Sequence, residues 1–172
     1  AHSFEVMVQP YVSEEFQWAK TALGSTSGNG VIMCNTTIEE SRELESMSLR
    51  APVVFFNRYS PKYSSVYSDF SKVGAQTARL FFEKGYRNVA LVGTGQNISN
   101  HVMREKGFLA TCAKLGMSAK LWTGEPKGDS ASYGYRLTRE ILQSGAGPEG
   151  SFYSADEFAM GGIRACRELG VS

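Results

Sequence analysis

Apolar residues in this chain collect into short uninterrupted runs separated by longer stretches of helical period. Val31–Cys34, Val53–Phe56 and Val89–Val92 have the length and composition of buried strands, and 119–122 and 151–153 are further strand candidates. Residues 4–8 alternate in part and read as another strand, and VYSDF (66–70) is strand-like. Between these runs the spacing predicts helices over 13–23, 38–48, 70–84, 101–115, 131–143 and 156–169. Phe70, Val73, Ala78 and Phe81 make one apolar stripe, and Phe108, Leu109, Cys112 and Leu115 another. Leu137 and Ile141 mark the third helix of this series, and Ala159, Ile163 and Cys166, beside small Gly162, mark the fourth.

Helix ends are punctuated. Gly24, Gly85, Gly116 and Gly170 each follow a helical pattern directly, where a chain must turn into the left-handed region. Helix, glycine, strand, repeated along the chain, is the order of βαβ units. Strands apolar throughout suit a sheet covered on both faces. The expectation is an α/β fold with parallel sheets flanked by helices, and the aromatics Phe55, Phe56, Phe81 and Phe82 are expected in its core.

In such folds ligands bind beyond the carboxyl ends of the strands. That region collects Asp69, Asn97, Ser99, Asn100 and Arg104: one acid, one guanidinium and several hydrogen-bonding groups. No nucleophile accompanies them. His2 and His101 have no neighbours in sequence that would complete a metal site or a triad. GTGQNIS (93–99) lacks both the dinucleotide glycine spacing and the phosphate-loop lysine. The pattern points to a receptor pocket, not a catalyst, with no cofactor.

Bulk numbers narrow the partners. The 172 residues suit one medium domain or two small lobes. Lys plus Arg is 18 against 17 for Asp plus Glu, so no long-range field attracts nucleic acid or acidic lipid. No run approaches the roughly 18 apolar residues of a membrane span, and no signal-peptide pattern is visible. Cys34, Cys112 and Cys166 are odd in number and far apart, which predicts buried free thiols in a reducing compartment.

Several segments together resemble the effector-binding region of the lactose/galactose repressor (LacI/GalR) family. NGVIMCN (29–35) resembles its DG-I-I strand with Asn29 in place of the acid, and PVVFFNR (52–58) its P-V-V-x-x-D-R strand with Asn57 in place of the acid. Residues 66–95 resemble V-x-x-D-N…G…L-x-x-x-G-H-R-x-I-A-x-I-x-G, with Tyr86 at the histidine position. REKGF (104–108) and SADEFAMGGIRACRELGV (154–171) fit R-x-x-G-F and x-x-D-x-x-A-x-G-x-x-x-A-x-x-x-G. The resemblance implies two Rossmann-like lobes of periplasmic-binding-protein type, here 1–94 and 95–172, with a small effector, a carbohydrate by preference, clamped between them. It implies that the family's first strand and helix, its closing strands and its DNA-binding headpiece lie outside this chain, leaving core edges to be covered by association. It also implies a cytoplasmic homodimer, with the Gly161-Gly162 pair of helix 156–169 at the interface.

The resemblance assigns Arg104 to the effector, a role its rigid fork of donors suits; the alternative is a surface arginine paired with Glu105. Asp69 would accept from ligand hydroxyls, or simply cap the helix from residue 70. Asn100 and Ser99 could line the same side, with capping the plainer role for Ser99. Asp156 could touch ligand, but Ser154 and Glu157 have capping-box spacing that would make it a helix-dipole residue. Arg58 follows a strand end at the pocket rim. Where family members stack an aromatic on the ligand just after a G-D pair, this chain has Gly128-Asp129-Ser130, leaving Tyr133 as a substitute. A periplasmic ribose-type sugar-binding protein is the alternative to a regulator, and an α/β oxidoreductase a third reading without a glycine fingerprint.

Overall fold

The computed structural model describes residues 3, 5–8, 29–34, 36–49, 51–125, 127–145 and 147–171. The helix expected over 13–23, Gly24 and His2 lie outside them. Residues 5–8 belong to no strand, and Val6, Met7 and Val8 are exposed, so the expected strand over 4–8 is not formed there.

Two compact units meet at Tyr67–Ser68. The first holds a parallel sheet in the order β1-β2-β3, with β1 Val31–Cys34, β2 Val53–Phe56 and β3 Ser64–Val66. Helix α1 (Ile38–Ser46) crosses between β1 and β2. Its start is fixed by a capping box: Thr37 Oγ1 accepts from the Glu40 amide at 3.1 Å, and Glu40 Oε2 accepts from the Thr37 amide at 2.7 Å. Met33, Leu44, Val53 and Phe55 form the core of this unit. Phe56 points the other way along the strand and is 46% exposed, and Cys34 is also exposed, so neither is the core residue expected.

The second unit is a three-layer sandwich. Its parallel sheet runs β5-β4-β6, with β4 Asn88–Val92 in the centre, β5 Ser118–Trp122 and β6 Gly150–Tyr153. Helices α2 (Phe70–Glu83) and α3 (Ser99–Lys114) cover one face, and α4 (Ser130–Gln143) and α5 (Asp156–Glu168) the other. The period of two along β4 sorts its side chains. Val89 and Leu91 join Ala78, Phe108 and Cys112, while Ala90 and Val92 join Tyr133, Leu137, Ile141 and Phe158. Val89, Ala90, Leu91 and Val92 are all buried, which is why that run is apolar at every position.

This pairing moves the division between units. A boundary near residue 94 would separate β4 from both of its strand partners and α2 from α3; the units divide instead at 67/68. β3 likewise ends at Val66, so the strand-like reading of VYSDF does not extend to Asp69.

Each helix pair crosses on glycine. A Cβ at Gly74 would overlap the Arg104 carbonyl oxygen, and one at Gly107 the Ser71 carbonyl oxygen. Gly134 and Gly161 do the same for α4 and α5, against the carbonyls of Phe158 and Ala131. Phe158, Gly161, Gly162 and Ala165 therefore form the buried face of α5, one position off the expected stripe, and Ile163 is 52% exposed. The Gly161-Gly162 pair packs within the unit against α4 and the Tyr153 ring.

Candidate functional site

At the carboxyl ends of β4 and β6, helix α3 leaves the sheet through a loop that begins at buried Gly93 and Thr94. A Cβ at Gly93 would come within 3 Å of both Leu121 and Glu105, so glycine lets α3 settle close to the strand end. Glu105 Oε1 accepts from the Thr94 amide at 3.2 Å and pins loop to helix. Burial raises the Glu105 pKa, an effect offset by that amide, by the Ser154 hydroxyl and by Arg104.

Arg104 lies on the same turn. Its Nη1 donates to the Ser154 carbonyl at the end of β6, and its guanidinium carbon sits 5.2 Å from the centre of the Phe70 ring. Its Nε is buried without a hydrogen-bond partner. Burial lowers its pKa, opposed by Asp156 and Glu105. The arginine is thus clamped at one nitrogen while another donor is left to be satisfied.

His101 stands one turn earlier on α3, on the face it shares with Arg104. Its Nδ1 is also buried without a partner. Burial lowers its pKa first, then the neighbouring Arg104 charge, while Asp156 raises it. Asp156, exposed at the start of α5, acts electrostatically on both groups. Ser154 is fully buried, and its hydroxyl, though near Glu105, makes no well-formed hydrogen bond.

The structure brings some expected residues together and separates others. The Asp156 charge acts on Arg104. Asp69 immediately precedes the Phe70 ring that lies under Arg104; its carboxylate is exposed and its Oδ1 caps α2 by accepting from the Lys72 amide at 3.0 Å. Asn100 stands at the start of α3, with its Oδ1 accepting from the His101 amide at 2.9 Å. Ser99 opens α3 but does not cap it, since the cap position is Ile98 with no side-chain bond. The Ser154–Glu157 capping box is likewise not made: Ala155 is the cap residue of α5.

Of two further expected residues, one packs in the core and one belongs to the first unit. Tyr133 is 3% exposed and packed on Phe158, and its hydroxyl donates to the Gly93 carbonyl at 2.9 Å while accepting from the Gly124 amide at 3.0 Å. It braces the strand-end loops from inside the core and offers no face for stacking. Arg58 belongs to the first unit, where its Nη1 donates to the carbonyls of Thr36 and Thr37 at 2.9 and 2.7 Å. His101, Glu105 and Ser154 were not marked as site residues by sequence. The one available signal was position: His101 precedes Arg104 by three residues on a helix.

Among the described residues no group of three or more His, Cys, Asp or Glu could hold a metal, and no helix is long and apolar enough to cross a membrane. The polar cluster presents donors, acceptors and an aromatic floor.

The periplasmic binding protein-like domain family matches residues 78–172. The chain belongs to that family. The LacI/GalR resemblance read from its motifs holds as well: this is an effector-binding domain of LacI type. The HTH-type transcriptional repressor MelR of Bacillus subtilis is 26% identical over 153 residues, which is 83% of this chain and 44% of the repressor. The chain thus spans less than half the length of that relative. A LacI family transcription regulator from Clostridium acetobutylicum has the same fold at TM-score 0.76 and 28% identity, covering 86% of this chain and 56% of that one. A transcriptional regulator CelR, in complex with cellobiose, shares the fold at TM-score 0.78 and 20% identity over 94% of this chain and 50% of its own.

Proposed function

We propose that this domain is the ligand sensor of a DNA-binding transcription regulator, and that it holds a small neutral hydroxyl-rich molecule, a carbohydrate, at the Arg104 cluster. One observation carries the reading: Arg104 Nε and His101 Nδ1, on residues three apart on one helix face, are both buried without a hydrogen-bond partner. Buried polar groups of that kind are ordinarily paired, and a ligand rich in hydroxyls pairs donors and acceptors alike. Carboxylates at Asp69 and Asp156 balance the guanidinium, which favours an uncharged guest over an anion. The Phe70 ring, already under Arg104, supplies an apolar floor.

Nothing in the cluster forms a nucleophile–base pair, so the site binds and does not transform. Regulation then follows from linkage. A ligand that prefers one of two arrangements of the protein shifts their populations, and DNA and ligand alter each other's affinity by one common factor. The regulator is read as a cytoplasmic homodimer with its DNA-binding headpiece outside this chain. The test is a thermal-shift screen of the full-length protein against neutral mono- and disaccharides, followed by operator binding with and without the hit. A sugar that raises the melting temperature and changes DNA affinity supports the reading. A panel with no stabilising sugar contradicts it.

A further inference from the structure

The motifs that mark this family run through Arg104 and Asp156 and leave His101 unassigned. We propose that His101 is a specificity-determining residue of the site, its Nδ1 accepting a hydrogen bond from a ligand hydroxyl that lies beside the Arg104 guanidinium. The inference deepens the reading of a neutral hydroxyl-rich ligand and rests on it.

The geometry supplies the argument. His101 and Arg104 are three residues apart on α3 and so share a helix face. The main chain of His101 is satisfied by Asn100 Oδ1 at 2.9 Å, so the residue is held at the helix start while its ring atom is unpartnered. A buried imidazole nitrogen without a partner forfeits the hydrogen bonding it would have in water, and a ligand hydroxyl restores it. The charged groups facing the ring are Arg104 on its own helix and Asp156 on α5; burial and Arg104 favour the neutral ring, and Asp156 opposes them. A neutral ring with its proton on Nε2 presents Nδ1 as an acceptor. Protonation turns that acceptor into a donor beside a guanidinium, which suits an anion and not a neutral alcohol.

The site therefore discriminates by protonation state. A neutral polyol with a hydroxyl at this position binds the uncharged imidazole and is released as the ring is protonated. A carboxylated or phosphorylated analogue would show the opposite pH trend.

The experiment is calorimetric titration of the full-length protein with whichever of cellobiose, maltose, melibiose and lactose stabilises it, repeated between about pH 5 and 8. In wild type, affinity falls with acid by up to about tenfold for each pH unit below the imidazole pKa. In His101→Gln and His101→Asn, each checked for folding by thermal melt, affinity at neutral pH is lower and the acid-dependent loss disappears. An acid-dependent loss that survives both substitutions, or an affinity that rises with acid, overturns the role of His101 while leaving sugar binding intact. If none of the four sugars stabilises the protein, the reading beneath the proposal fails, and the proposal with it.

Discussion

The backbone of Gly74 lies against the carbonyl oxygen of Arg104, so closely that no side chain fits between them. The backbone of Arg104 is therefore placed by the crossing of two helices. Gly107, three residues further along α3, makes the reciprocal approach to Ser71. Together they fix where α3 begins its course past the end of β4.

Gly74→Ala tests that relationship. Alanine would add roughly 0.5–1 kcal/mol of helix propensity, but overpacking a tight contact costs about 1–3 kcal/mol. The expected result is a net loss in urea denaturation together with weaker ligand binding, because the backbone of Arg104 must move. A variant as stable as wild type would show that the helices relax at no cost.

Tyr133→Phe separates core from site. The substitution removes the bridge between the Gly93 carbonyl and the Gly124 amide. Leaving the buried Gly93 carbonyl without this donor costs about 1–3 kcal/mol of stability. Since the ring is enclosed by the core, ligand affinity of the folded variant should stay at the wild-type value. A selective loss of affinity without a loss of stability would return Tyr133 to the ligand.

Two partly buried groups give stability opposite slopes with pH. His101 is held below its ordinary 6.5, so as pH falls past 6.5 the unfolded chain takes up the proton first and stability declines toward the folded pKa. Glu105 is held above its ordinary 4.5, so its contribution is present below 4.5 and is lost as pH rises through the folded value. Urea midpoints of His101→Gln should lose the first slope, and those of Glu105→Gln the second. Unchanged pH profiles in both variants would contradict these burial effects.

Thiol reactivity follows exposure. The Cys112 thiol is pushed up to about 11 by burial, and Cys34 is exposed. A maleimide reagent should modify Cys34 first and reach Cys112 only in denaturant. Labelling of Cys112 in the native protein would show that the α2–α3 layer opens.

Much of this architecture was legible in the chain. Val89–Val92 announces a strand covered on both faces because it is apolar at every position, and Asp69 announces the start of α2 as a capping acid. The R-x-x-G-F motif singled out Arg104, and the structure sets its guanidinium against the end of β6. What the sequence hid depends on packing across segments. The buried stripe of α5 is set by glycines at 161 and 162, which carry no hydrophobic signal, so periodicity pointed to Ile163 instead. Tyr133 reads as a ligand aromatic until its hydroxyl is seen bridging two loop backbones about ten and forty residues away. The division at Tyr67–Ser68 depends on pairings that β4 makes only later in the chain, with β5 after one further helix and with β6 after two.

The central claim is that the buried guanidinium of Arg104 holds a neutral sugar. Its most direct test is calorimetric titration of the stabilising sugar into wild type, Arg104→Lys and Arg104→Ala. A charge-assisted hydrogen bond contributes about 1.5–3 kcal/mol, so Arg104→Ala should bind at least about tenfold more weakly while its melting cooperativity is retained. Arg104→Lys should recover little, since an ammonium cannot reproduce the planar fork. Equal affinity in wild type and a folded Arg104→Ala variant would contradict the account.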